Sequence, residues 1–163
     1  MKLFAAFVLV AAAALIAAPA PVQANPEFAG EWVLDPQRSS DLGRLKAANR
    51  TVVLEGKNLR INSTADWGQG DPESFEYTYI TDGVEHHVVG PPRWKRDVTA
   101  VWKGFFGQKL EVTWTMDFDG NSVYFTELWE KKSRGLRMTN KMKTPVRNFE
   151  QKLYFVRPGE QKK

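Results

Sequence analysis

Between residues 110 and 118 every second side chain is apolar: Leu110, Val112, Trp114, Met116 and Phe118 alternate with Glu111, Thr113, Thr115 and Asp117. A period of two puts successive side chains on opposite faces of an extended chain, so this segment predicts a strand with one buried and one wet face. The pattern recurs in 136–142, where Leu136, Met138 and Met142 oppose Arg137, Thr139 and Lys141. Short runs of similar character follow one another along the chain, among them TVVLEGKNLRINST, FEYTYITDGVEHHVV and FEQKLYFV. Turn residues separate them at Glu55-Gly56-Lys57-Asn58, Asp82-Gly83, Asp119-Gly120-Asn121 and Arg134-Gly135. Glycine admits positive φ, and Asp or Asn tolerates it, so these junctions predict tight hairpins. The one longer connection, Pro36 to Arg50, leaves room for a turn of helix near Ser40 to Lys46.

Hairpin-joined strands in such number form an antiparallel meander that curls and closes, because closure removes exposed edges. The predicted fold is therefore all-β: a single antiparallel up-and-down β-barrel of 8–10 strands, from about residue 27 to 158. A membrane-spanning barrel is also built from alternating strands, but it needs an apolar outward band. Here the polar face carries Glu111, Asp117, Glu130, Arg137, Lys141 and Lys152, and the terminal GEQKK offers no closing aromatic. A barrel with a water-facing outer wall fits better.

Residues 1–24 stand apart from this pattern. Lys2 precedes an uncharged apolar stretch from Leu3 to Ala18, Pro19 and Pro21 interrupt it, and Val22-Gln23-Ala24 supplies small residues for cleavage. That order predicts a signal peptide cleaved after Ala24, leaving a barrel domain over 25–163 that begins at Asn25. The apolar run is shorter than a membrane span requires, so no transmembrane segment is expected after cleavage. The expected location is periplasmic or extracellular. The chain contains no cysteine, which excludes disulfides, thiolate metal sites and cysteine nucleophiles. Stability must come from the core, and 42% hydrophobic with 26% charged residues is a globular composition.

Phe28-Ala29-Gly30-Glu31-Trp32 carries a Gly-x-Trp at the start of the first strand, and Gly30 to Ser39 reads GxWxLDxxxS. Further along come Tyr77 and Tyr79 before Asp82-Gly83, an AxWxG…LxV segment (Ala100, Trp102, Gly104, Leu110, Val112), TExW from Thr126 to Trp129, and GLxMT from Gly135 to Thr139. A last aromatic strand ends near Arg157. This ordered set resembles the bacterial secreted lipocalin-like domains, relatives of the calycin β-barrels, over almost all of 28–158. The resemblance implies the fold, and it implies that Trp32 closes the barrel base. It implies no single activity, because fold alone does not supply function. The chain departs from classical lipocalins in lacking cysteine and a clear helix after the barrel.

An eight-strand barrel either fills its interior or holds one small ligand. The candidate lining is Tyr77, Tyr79, His86, Trp102, Trp114, Phe125 and Trp129, with Trp94 at the mouth. Large aromatics at inward positions line a pocket or plug it, and both readings stay open. Three polar residues are sharper. If Val123, Phe125 and Trp129 point inward, Glu127 does too; the opposite choice would turn Tyr124, Thr126 and Leu128 inward. Asn140 shares a face with Met138 and Met142, and Gln151 with Leu153 and Phe155. A buried carboxylate must be paired or protonated, so Glu127 is either a structural partner or a ligand anchor.

His86 and His87 are adjacent, and neighbours on a strand face opposite ways, so they do not ligate one metal together. His86 is expected on the Val84/Val88 face. No nucleophile elbow or triad order accompanies either histidine, so no catalytic residue, metal or cofactor is assigned. The segment Gly90-Pro91-Pro92-Arg93-Trp94-Lys95-Arg96 places Trp94 among cations, suited to clamping a ligand or to packing on one barrel end. Charge is uneven: residues 25–130 hold 11 basic and 17 acidic side chains, while 131–163 hold 11 and 2. The export signal and the missing motifs argue against nucleic acid as a partner.

Two functions lead, and a third, an enzyme of isomerase or hydrolase type with a polar cluster inside the barrel, has no motif in its support. In the first, an exported lipocalin-like barrel binds a small, partly apolar or amphipathic molecule inside. In the second, a filled, non-catalytic barrel acts through its surface on a protein partner or an anionic envelope component.

Overall fold

The computed structural model describes residues 23–89 and 95–161. The predicted leader falls almost wholly outside them, as does Trp94. Ten strands form one antiparallel sheet: β1 (Gly30–Leu34), β2 (Ala47–Glu55), β3 (Asn58–Asp66), β4 (Glu73–Ile80), β5 (Asp82–Val89), β6 (Lys95–Lys103), β7 (Lys109–Phe118), β8 (Asn121–Lys132), β9 (Gly135–Lys143) and β10 (Asn148–Val156). Their order is β4-β3-β2-β1-β10-β9-β8-β7-β6-β5. Every strand pairs with its chain neighbours except β4 with β5, and β1 pairs with β10 (Leu34 opposite Phe155) to join the two ends. The edges left over are β4 and β5. They lie side by side without a ladder, so the barrel is nearly closed, with one seam.

The seam has a local cause. Only Thr81 separates β4 from β5, too few residues for the two-residue reverse turn of a tight hairpin. Thr81 is instead pinned to the β2–β3 turn, its N–H and hydroxyl both donating to Lys57 O at 2.8 and 2.9 Å. The predicted turn at Asp82-Gly83 is a bulge inside β5: Gly83 has φ +77°, and the register with β6 shifts between Asp82 and Glu85. Glycine at positive φ serves a bulge as well as a hairpin, which explains the misreading. The bulge also turns Val84 out to 58% exposure, so His86 and Val88 face inward without it. The other three turns join paired strands as expected.

A second correction concerns the long connection. It carries a 3-10 helix at Pro36–Arg38, and 40–46 is not helical. Asp35 accepts the Gln37 N–H at 3.1 Å and Pro36 occupies the first position, a start signal placed earlier than expected. Strand β2 begins at Ala47, so Arg50 lies in the sheet.

One end of the barrel is plugged. Phe28, in a 3-10 helix at Pro26–Phe28, meets Trp102 edge-to-face at 5.0 Å. Trp32 donates its indole N–H to Phe28 O at 2.8 Å, and the Arg157 guanidinium lies 3.8 Å from the Trp32 ring centre. Arg157 also donates to Ala29 O and Glu31 O at 2.9 and 3.2 Å. Gly30, at φ +108°, makes room, since a Cβ there would collide with that guanidinium. Among the described residues no helix is long and apolar enough to cross a membrane.

Candidate functional site

Inward positions change character along the barrel axis. Next to the plug, Leu59, Ile61, Leu110, Trp129, Leu136, Met138 and Phe155 are fully buried. Toward the opposite end, where β2 starts and β10 starts, the inward side chains Arg50, Phe75, Tyr77, Trp114, Phe125, Asn140, Met142 and Gln151 are only half-buried. Side chains on the inner wall reach solvent through the barrel's end or its seam, so this half is open. The Asp35–Lys46 connection folds over it, with Leu42 and Leu45 on the core and Asp41 O accepting from Gln151 Nε2 at 3.0 Å.

Between plug and mouth lies a cluster of polar groups. Glu127 is 7% exposed, and its carboxylate accepts the Trp129 indole N–H. Arg50, opposite Trp32 in the ladder, extends between aromatic rings: its guanidinium carbon is 5.4 Å from the Trp129 centre and 5.1 Å from that of Phe155. Arg96 lies 4.2 Å over Trp114, which stacks on Phe125 at 5.1 Å with planes 3° apart. Arg96 also donates to the Tyr79 hydroxyl at 3.0 Å, and the Tyr79 and Tyr77 ring centres are 5.1 Å apart. Burial pushes both phenols up, Tyr79 well above its ordinary value; the Glu127 charge adds to this while Arg50 and Arg96 oppose it. Both tyrosines are thus neutral donors at physiological pH. The shared influence also shows that all three charges act on the same pair of phenols.

The cluster is incompletely satisfied. Arg50 Nε, Trp114 Nε1 and Asn140 Oδ1 are buried and have no hydrogen-bond partner among the described residues. Asn140 uses its amide N–H on Gln151 at 3.0 Å. Neither arginine nor Glu127 forms an ion pair there. Each orphaned buried polar atom costs about 1–3 kcal/mol, so three in one place mark a site rather than a finished core.

The seam offers a second feature. A cleft of about 400 Å³ is lined by inward Tyr77, His86 and Val88 together with outward Glu76, Thr78 and His87. His86 bonds Asp82 at 2.8 Å. That bond, the Val84 N–H and Lys57 together hold the Asp82 carboxyl well below the usual carboxylate range. His87 turns out to Asp97 at 2.9 Å.

Of the residues singled out from sequence, Tyr77, Tyr79, Trp114, Phe125, Glu127, Trp129, Asn140 and Gln151 all face inward in or beside the cluster. Trp102 is instead part of the plug, its indole bonded to Thr81 Oγ1 at 3.0 Å, and His86 belongs to the seam. Sequence reasoning missed the two arginines. Arg50 shares spacing with Ala48, Val52 and Leu54, and Arg96 with Val98, Ala100 and Trp102; that shared period was the available signal.

The basic last strands are largely paired on the outer wall. Glu130 accepts from Arg137 and lies 3.4 Å from both Lys109 and Lys132, while Glu150 meets Lys152 at 2.9 Å and Lys141 at 3.5 Å. Among the described residues no group of three or more His, Asp or Glu side chains is placed to hold a metal. No family model matches the chain, and comparison with curated proteins returns no match.

Proposed function

We propose that the protein is an exported, lipocalin-like barrel that binds a small, partly apolar molecule in the open half of its interior. The observation that carries this reading is the trio of unpartnered buried atoms, Arg50 Nε, Trp114 Nε1 and Asn140 Oδ1, beside the stacked faces of Trp114 and Phe125. Aromatic walls with a few convergent polar groups suit a ligand that is mostly apolar with one polar end. Glu127, Asn140 and Gln151 would orient it. The test is fluorescence titration with the neutral dye N-phenyl-1-naphthylamine. One dye should bind per chain, and Trp114→Ala or Phe125→Ala, if still folded, should weaken it by about tenfold. Unchanged affinity in both folded variants would remove the interior site.

A surface role has one observation in its favour. Phe105 and Phe106, at the β6–β7 turn, are 90% and 79% exposed between Lys103 and Lys109. An aromatic tip flanked by cations suits an anionic envelope surface. Sedimentation with phosphatidylglycerol vesicles tests it, and replacing both phenylalanines by serine should abolish co-sedimentation.

A further inference from the structure

We propose that the interior molecule is a monoanion: an amphipathic compound whose single carboxylate, sulfonate or similar group sits between Arg50 and Arg96. This deepens the interior-binding reading and rests on it. The charge count inside the wall comes first. Arg50, Arg96 and Glu127 all act on Tyr77 and Tyr79, two guanidiniums against one carboxylate, and none of the three has an ion-pair partner within 4.0 Å among the described residues. Both arginines are half-buried, and an excess cation partly withdrawn from water favours an anion beside it. One added negative charge balances the interior, whereas a cationic ligand would enlarge the excess.

Geometry adds the second reason. Both guanidiniums lie against aromatic rings, Arg50 near Trp129 and Phe155, and Arg96 over Trp114. Aromatic rings satisfy the positive charge only in part and offer the guanidinium N–H groups no strong acceptor, whereas a carboxylate or sulfonate matches them. Arg50 Nε donates to nothing, and its Nη1 reaches only the Met138 sulfur at 3.1 Å, a weak acceptor. Trp114 Nε1 is another donor without a partner. Against these two orphaned donors stands one orphaned acceptor, Asn140 Oδ1, so the donors are in excess. The remainder of the ligand would lie along Trp114 and Phe125 toward the mouth.

The experiment compares two dyes sharing one aromatic framework, 1-anilinonaphthalene-8-sulfonate and the neutral N-phenyl-1-naphthylamine, by fluorescence titration of the purified protein. The sulfonate dye should bind one per chain, about tenfold tighter than the neutral one. Arg50→Gln and Arg96→Gln should each lose about tenfold for the sulfonate dye and change the neutral dye by less than about threefold. Glu127→Gln keeps an acceptor for Trp129 and removes the opposing charge, so it should tighten the sulfonate dye by about threefold or more. That gain keeps the test decisive if an arginine variant fails to fold. Equal affinity for both dyes, or a Glu127→Gln variant that does not favour the anion, overturns the anion assignment and leaves interior binding standing. Sulfonate binding that survives Trp114→Ala unchanged is surface adsorption and also overturns it. Failure of both dyes to bind the folded protein overturns the interior reading itself.

Discussion

Arg50→Met should make the protein more stable while weakening its affinity for anions by about tenfold. In the native interior Arg50 Nε is buried without an acceptor, which costs about 1–3 kcal/mol. Its cation–π contacts with Trp129 and Phe155, at 5.4 and 5.1 Å, return about 0.5–1 kcal/mol for each ring. Methionine has a similar reach and keeps part of that gain through sulfur–aromatic contact, worth about 0.3–1.5 kcal/mol. Glu127 is still opposed by Arg96. The balance is a net gain of about 1 kcal/mol. With a urea slope of about 2 kcal/mol/M for a chain of this size, the unfolding midpoint should rise by about 0.5 M at unchanged slope. Saturating 1-anilinonaphthalene-8-sulfonate should then stabilise the native protein by about 1.4 kcal/mol more than the variant, the equivalent of tenfold tighter binding. A midpoint that falls by 0.5 M or more would falsify the reasoning, making Arg50 a structural member of the core rather than a ligand group.

Other changes probe the rest of the molecule. Trp32→Ala removes a fully buried ring, its bond to Phe28 O and the stacking surface of Arg157, and should cost about 3–5 kcal/mol by urea unfolding. Glu130 tests the outer wall by pH. Desolvation alone would raise its carboxyl, but Arg137 and Lys132 outweigh it and hold the value below the ordinary one. A lowered folded pKa means stability that is present above the unfolded value and lost as pH falls through the folded one. Glu130→Gln should therefore destabilise at pH 7, and the gap to the native midpoint should close below about pH 4; a pH-independent gap would contradict the ion-pair account. Phe105→Ser with Phe106→Ser should change stability by less than about 0.5 kcal/mol, since neither ring is buried.

Where burial follows a period of two, the sequence was legible. The alternation ties Glu127 to the face of Val123, Phe125 and Trp129 but leaves either face of β8 free to turn inward; pairing with Asn140 and Val112 in the closed sheet puts that set inside, and the same rule groups Asn140 with Met138 and Gln151 with Leu153. Arg50 escaped because Ala47-Ala48-Asn49-Arg50 carries little strand propensity, so β2 was expected to begin later. Its packing, not its propensity, makes it strand: Ala48 is buried and Asn49 pairs with both Val33 and Thr64. Arg96 escaped because it ends a run of cations and prolines that looks like loop, although it belongs to β6. The seam was illegible for a different reason. Asp82-Gly83 has the same local chemistry in a hairpin and in a bulge, and what separates them is the pairing of β5 with β6, a non-local fact. The missing partners of Arg50 and Trp114 depend on which strands face each other across the barrel, so no window of sequence could have displayed them.

The most direct test of interior binding is native mass spectrometry of the protein purified from the cells that make it, comparing intact with denatured mass. The interior reading requires a discrete excess of one small molecule per chain that is lost on denaturation and missing from a folded Phe125→Ala variant. The anion assignment further requires that molecule to ionise in negative mode. An intact mass equal to that of the bare chain, or an excess that the variant retains in full, would contradict the reading.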